Sequence, residues 1–204
     1  MSIDKNRMLH GQLYRADDPQ LVTMHKHAQQ LLFLYNRTAP EDDNNRAKLL
    51  AQLLNVPATD AHIEAPTRMD YGVNVHLGKN FYANYDSIFL DVAPISIGDN
   101  VMIGPRTSLY TAGHPLSATV RRDGLEYGHP ITIGDDVWIG GSVTICPGVT
   151  IGDNVVIGAG SVVTKDIPSG VLAAGVPATP IRPITEADEI YWDAEAAKYW
   201  DAKR

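Results

Sequence analysis

The stretch ITIGDDVWIGGSVTICPGVTIGDNVVIGAGSVV, residues 131–163, decides the fold. Within it Ile133, Ile139, Ile145, Ile151, Ile157 and Val163 recur every six residues, and Val137, Val143, Val149, Val155 and Ser161 each follow four places behind. A step of six suits neither a helix of period 3.6 nor a long alternating strand. Gly-Asp, Pro-Gly and Ala-Gly pairs interrupt every apolar segment, so the chain must turn a corner at each repeat. Three corners close a triangular coil of about eighteen residues. Stacking such coils sets each aliphatic side chain above its equivalent and buries columns that one coil cannot bury alone.

Upstream, Ile97, Ile103 and Leu109 keep the step, Leu77, Ala83 and Phe89 keep it with weaker residues, and Ile63 and Met69 open the first coil. The solenoid is expected over residues 61–182. Between Leu109 and Ile133 the period lapses, so a segment at about 113–130, from Gly113-His114-Pro115-Leu116 to Gly128-His129-Pro130, must loop out of the prism. Loops held by a rigid scaffold are favoured places for binding and catalysis.

The two ends differ in kind. Residues 1–60 carry helical spacing from Leu21 to Arg37 and from Arg46 to Leu54, which predicts two helices covering one end of the solenoid. Residues 183–204 predict a third helix, opened by a capping box in Thr185 and Asp188, with its Tyr and Trp residues expected to pack.

Composition narrows the function classes. With 44% hydrophobic residues the chain can bury a core, while a formal net charge of -7 and no Lys/Arg cluster oppose nucleic acid as a partner. No apolar run is long enough for a membrane span and the first residues lack a signal-peptide pattern, so a cytoplasmic protein is expected. The one cysteine, Cys146, lies inside a repeat with no histidine beside it and reads as structural.

Several motifs together resemble the maltose and galactoside O-acetyltransferases of the hexapeptide-repeat family. They are Leu13-Tyr14-Arg15-Ala16-Asp17, Asp70-Tyr71-Gly72, Asn80-Phe81-Tyr82-Ala83-Asn84, Tyr110-Thr111-Ala112-Gly113-His114-Pro115-Leu116, Gly124-Leu125-Glu126-Tyr127-Gly128, Val137-Trp138-Ile139-Gly140-Gly141 and Gly175-Val176-Pro177-Ala178. The resemblance implies a left-handed parallel β-helix, a homotrimer with active sites between subunits, and transfer of acetyl from acetyl-CoA to the 6-hydroxyl of a sugar such as maltose or glucose, without a metal. It makes His114 the general base, consistent with an imidazole removing a proton from a poorly nucleophilic hydroxyl. By the same resemblance Asp17, Asp70, Asn84, Asp91 and Glu126 face the acceptor, although a shift of one position moves the role of Asp91 to Val92. Asn84, Gly141, Ala159, Thr164, Lys165, Thr179 and Arg182 fall on the acetyl-CoA side, with Gly141 offering a backbone N–H to an oxyanion. At Thr179 relatives commonly carry a basic residue, so one phosphate contact is expected to be missing or replaced.

Two other classes compete. A metal-dependent hydratase on the same solenoid needs three histidine ligands, and His76, His114 and His129 lack the spacing for it. A scaffold with a decayed site fits the repeats alone. Within the transferase class, other small hydroxyl acceptors compete with sugars.

Overall fold

The computed structural model describes all 204 residues. The chain begins with helix α1 (Ile3–Leu9), strand β1 (Tyr14–Arg15), α2 (Pro19–Tyr35) and α3 (Asp43–Leu54). The solenoid strands then follow as β2 (His62–Ile63), β3 (Thr67–Met69), β4 (Val75–Leu77), β5 (Tyr82–Ala83), β6 (Ser87–Leu90), β7 (Ile95–Ile97), β8 (Met102–Ile103) and β9 (Ser108–Tyr110). An excursion holds β10 (Ala112–Gly113), α4 (Ala118–Arg122) and β11 (Leu125–Gly128). The coils resume with β12 (Ile131–Ile133), β13 (Trp138–Ile139), β14 (Thr144–Ile145), β15 (Thr150–Ile151), β16 (Val156–Ile157), β17 (Val162–Val163) and β18 (Val171–Gly175). β19 (Ala178–Pro183) and α5 (Glu186–Asp201) finish the chain.

The strands form the three faces of a parallel β-helix. The first face runs β2-β5-β8-β13-β16-β18 and ends in antiparallel β19; the second runs β3-β6-β9-β14-β17; the third runs β4-β7-β12-β15. Register stacks like on like: Ile103 pairs with Ile139 and Ile139 with Ile157, Leu109 with Ile145 and Ile145 with Val163, and Ile97 with Ile133 and Ile133 with Ile151. All of these are buried, as are Val137, Val143, Val149 and Val155. The step of six read from the sequence is therefore the spacing of core columns.

The corners are held by side chains as well as by backbone. Asn100, Asp136 and Asn154 take left-handed conformations, φ 59°, 57° and 51°, which Asn and Asp tolerate better than most residues. Beside them runs a ladder: Asp99 accepts from the Lys79 N–H, Asp135 from the Asp99 N–H, Asp153 from the Asp135 N–H, and the Ser169 hydroxyl from the Asp153 N–H, at 2.7 to 2.9 Å. The glycines preceding these aspartates are required by close approach, since a Cβ on Gly98 would collide with Asp135 and with the backbone of Gly134.

Two findings depart from the expectation for the ends. Residues 1–60 hold three helices and a short strand, because α1 is too short and β1 too isolated to show a periodic pattern. α2 and α3 bury Leu31, Leu32, Leu50 and Leu53 in the same cluster as Ile63, Met69 and Phe89, closing the first coil. At the other end the Tyr and Trp side chains of α5 do not pack on the body of the chain: the helix has no buried residue, and Tyr191 and Trp192, like Tyr199 and Trp200, contact each other edge to face. The capping box is present, the Asp188 carboxylate accepting from the Thr185 N–H at 2.9 Å. No helix is long and apolar enough to cross a membrane.

Candidate active site

The excursion that interrupts the repeats folds back as a hairpin. β11 pairs antiparallel with β10 on one side and with β1 on the other, so the N-terminal segment and the loop form one small sheet. This sheet sits at the edge where the second face of the prism turns into the third, and it brings Tyr14 opposite Glu126. Beneath it Met8, Tyr14, Leu21, Tyr71 and Val92 form a core of their own.

A cavity of about 330 Å³ opens there, at the small end of the range for small-molecule sites. Its charged and imidazole groups are Asp70, Glu126, His25, Lys26 and His114, and its apolar wall includes Val22, Leu90 and Val92. The His114 side chain is 58% exposed, and its Nε2 lies 3.9 Å from Glu126 Oε2, whose side chain is 16% exposed. That separation exceeds a direct hydrogen bond and places both groups around one small volume. Asp70 is more protonated than an ordinary aspartate, because burial disfavours its charge and Glu126 adds repulsion, while nearby His25 opposes the shift. His25 Nδ1 is 3.0 Å from the Asp70 carbonyl oxygen, to which it donates.

One acceptor-side expectation, Asp91, is corrected by this geometry, and another residue, Asp17, stands outside this cavity. Asp91 is fully buried beneath the cavity: it accepts from the N–H groups of Asp70 and Tyr71 at 2.8 and 2.9 Å and shapes the loop that carries Asp70. Burial pushes its carboxyl up to about 7, against the pull of those N–H donors. Strand alternation at the end of β6 turns Val92, one residue on, toward the cavity instead. Asp17 is exposed and paired with Arg15 at 2.7 Å, while Ala16 lines the cavity in its place. The sequence reading missed His25, which comes from α2 with no motif around it, and Tyr14, whose place depends on a strand two residues long.

The other named residues lie elsewhere on the prism. Asn84, Gly141 and Ala159 follow β5, β13 and β16, which puts them on the edge between the first and second faces. At Gly134-Asp135-Asp136 the middle N–H is taken by the Asp153 carboxylate, but at Gly140-Gly141-Ser142 the next coil offers Ala159. The Gly141 N–H consequently has no acceptor within the chain. Beside this edge Trp138 and Met102, paired in register and each 53% exposed, make an apolar surface on the first face. Asn84 Oδ1 accepts from the Tyr85 N–H at 2.8 Å. Thr164 and Lys165 follow β17 on the same edge as His114, higher in the stack, and both are exposed. Thr179 and Arg182 lie on β19, where Arg182 is bound to Asp188. No group of three His, Cys, Asp or Glu side chains is arranged to hold a metal ion.

Comparison with known proteins gives these edges a context. Residues 7–56 match the maltose acetyltransferase hexapeptide capping motif, residues 94–112 the hexapeptide repeat of succinyl-transferase, and residues 130–165 the bacterial transferase hexapeptide of six repeats. A maltose O-acetyltransferase structure from Clostridium difficile 630 is 49% identical, with a TM-score of 0.86 over 91% of this chain and 99% of that one. A galactoside acetyltransferase structure in complex with coenzyme A is 40% identical, with a TM-score of 0.86 over 93% and 94%. The galactoside O-acetyltransferase of Escherichia coli K12 is 42% identical over 162 residues, 79% of this chain and 80% of that protein. The chain belongs to the maltose and galactoside O-acetyltransferase family of hexapeptide-repeat acetyltransferases.

Proposed function

We propose that this acetyltransferase moves the acetyl group of acetyl-CoA to the 6-hydroxyl of a sugar such as maltose or glucose, in a homotrimer. The observation that carries the reading is the cavity in which His114 faces Asp70 and Glu126. Carboxylates flanking an imidazole suit an acceptor rich in hydroxyl groups, and the apolar wall of Val22, Leu90 and Val92 suits the C–H face of a sugar ring.

The residues present fit acetyl-CoA. Its thioester supplies an activated acetyl group when bound. Trp138 and Met102 offer apolar surface to a pantetheine chain, and Lys165, which has no ion-pair partner in the chain, offers charge to phosphates. Gly141 presents an uncommitted N–H to negative charge developing on an oxygen. His114 takes the proton from the acceptor hydroxyl. Asp70 and Glu126 accept from neighbouring hydroxyls and orient the ring.

The topology supports a site shared between subunits. His114 and Gly141 stand on opposite edges of the second face, roughly five residues of extended chain or about 16 Å apart, whereas both must lie within about 3 Å of the reacting group. One chain cannot bring them together, but two side by side can align the His114 edge of one with the Gly141 edge of the other. Release of CoA from acetyl-CoA, measured across glucose, maltose, a galactoside, chloramphenicol and serine, tests the acceptor class. Release that is strongest with the glucosyl sugars and lost in His114→Ala supports the reading; equal release with serine or chloramphenicol rejects the sugar.

A further inference from the structure

Tyr14 Oη is the one buried side-chain polar atom in the chain with no hydrogen-bond partner. The residue is only 1% exposed, and its ring is locked into the small core under the cavity by Met8, Leu21, Tyr71 and Val92. A phenylalanine would fill the same space without the penalty of an orphan hydroxyl, so the hydroxyl calls for a role. Its register partner across the β1/β11 pair is Glu126, the carboxylate that stands 3.9 Å from His114.

We propose that Tyr14 is a positioning residue for the acceptor. Its hydroxyl donates to the Glu126 carboxylate when the acceptor is bound and fixes that carboxylate against the sugar beside His114. An ionised carboxylate accepts about four hydrogen bonds, so Glu126 can take one from Tyr14 and others from sugar hydroxyls. Held from below, it meets the acceptor in one orientation and loses less freedom on binding. Burial, the neighbouring charge of Glu126 and the approach of its carboxylate, near enough to interact though no hydrogen bond is made, all keep the Tyr14 hydroxyl protonated, hence a donor at any working pH. His114 itself has no side-chain contact with Tyr14 among the hydrogen bonds and ion pairs of the site, which makes Glu126 the link.

The inference rests on the sugar acetyltransferase reading, and its test separates the two. Wild type, Tyr14→Phe, Glu126→Ala and the double variant are compared for kcat and KM toward the best sugar acceptor, KM toward acetyl-CoA, and melting temperature. Tyr14→Phe is expected to raise acceptor KM about threefold to thirtyfold with a smaller change in kcat, leaving acetyl-CoA KM and melting temperature unchanged or the latter raised. In the Glu126→Ala background the same change is expected to have an effect below about twofold, because nothing is left to position. The proposal is overturned if Tyr14→Phe leaves acceptor KM within about twofold of wild type, or lowers activity equally with and without Glu126. It is also overturned if the loss follows a drop in melting temperature and a rise in acetyl-CoA KM, which would mark a purely structural role. Absence of sugar-dependent release by the wild type would reject the functional reading and this inference with it.

Discussion

Arg182 donates to both oxygens of Asp188, at 2.7 and 2.8 Å, and the same carboxylate caps α5 through Thr185. A guanidinium expected to meet phosphates is thus committed to the start of a helix that packs on nothing else in its own chain. Asp188→Asn is expected to free it and to lower the KM for acetyl-CoA about twofold to fivefold at low ionic strength, with the gain fading in high salt. Steady-state kinetics at two salt concentrations checks this. An unchanged KM in both would mean that Arg182 stays off the phosphates.

Subunit mixing tests the placement of His114 and Gly141. His114→Ala is expected to lose about a hundredfold to ten-thousandfold in turnover, and Gly141→Pro, which removes the N–H, about a hundredfold to a thousandfold. Co-refolded in equal amounts, the two inactive variants are expected to recover about a quarter of the wild-type rate if, as proposed, a site takes His114 from one chain and Gly141 from its neighbour. Recovery of nothing, with mixed trimers demonstrated by differential tags, would place each site within one chain.

Asp91 carries a pH dependence of stability. Its carboxyl is raised from 3.8 to about 7 in the folded chain, so between those values the folded state keeps a proton that the unfolded state has lost. Stability from this group therefore falls as pH rises through that window, by up to about 4 kcal/mol. Asp91→Asn cannot ionise, and urea melts are expected to show its stability improving relative to wild type from about pH 5 to about pH 8. A difference that stays constant with pH would assign the titration elsewhere.

The corner ladder sets a limit on side-chain size. Gly98→Ala puts a methyl group against Asp135 and the Gly134 backbone, and is expected to destabilise by about 1–3 kcal/mol in denaturant melts, with acetyltransferase activity of the folded fraction unchanged. Gly160→Ala has open space around its Cβ and is strained only by its φ of 72°, so a smaller loss is expected there. Equal losses would show that backbone conformation outweighs the stacked contact.

The legible part of this protein was its repeat. Ile133 to Val163 announce the columns because every coil solves the same packing problem with the same residue types, and His114 stands out because the repeat fails around it. Illegible parts depend on single contacts. The face taken by Asp91 or Val92 changes with a register of one residue at the end of β6, and no spacing distinguishes them. Tyr14 and His25 reach the cavity only because β1 pairs with β11 and α2 crosses the same edge, contacts that sequence separation conceals. Asp17 belongs to a motif, but no spacing announces that its carboxylate pairs with Arg15 two residues away.

The hairpin at 112–128 leaves the prism between β9 and β12, yet the strands on either side stack as though it were absent, β9 on β14 and β7 on β12. Its own sheet partner is β1, so the N-terminal segment holds its outer edge, while Ala112 and Gly128 lie against the cluster around Val92. Coil stacking and the outer wall of the cavity are thereby separable: β1 and the hairpin can be retuned by mutation against the fixed wall of Asp70, Leu90 and Val92 without the solenoid having to fold anew.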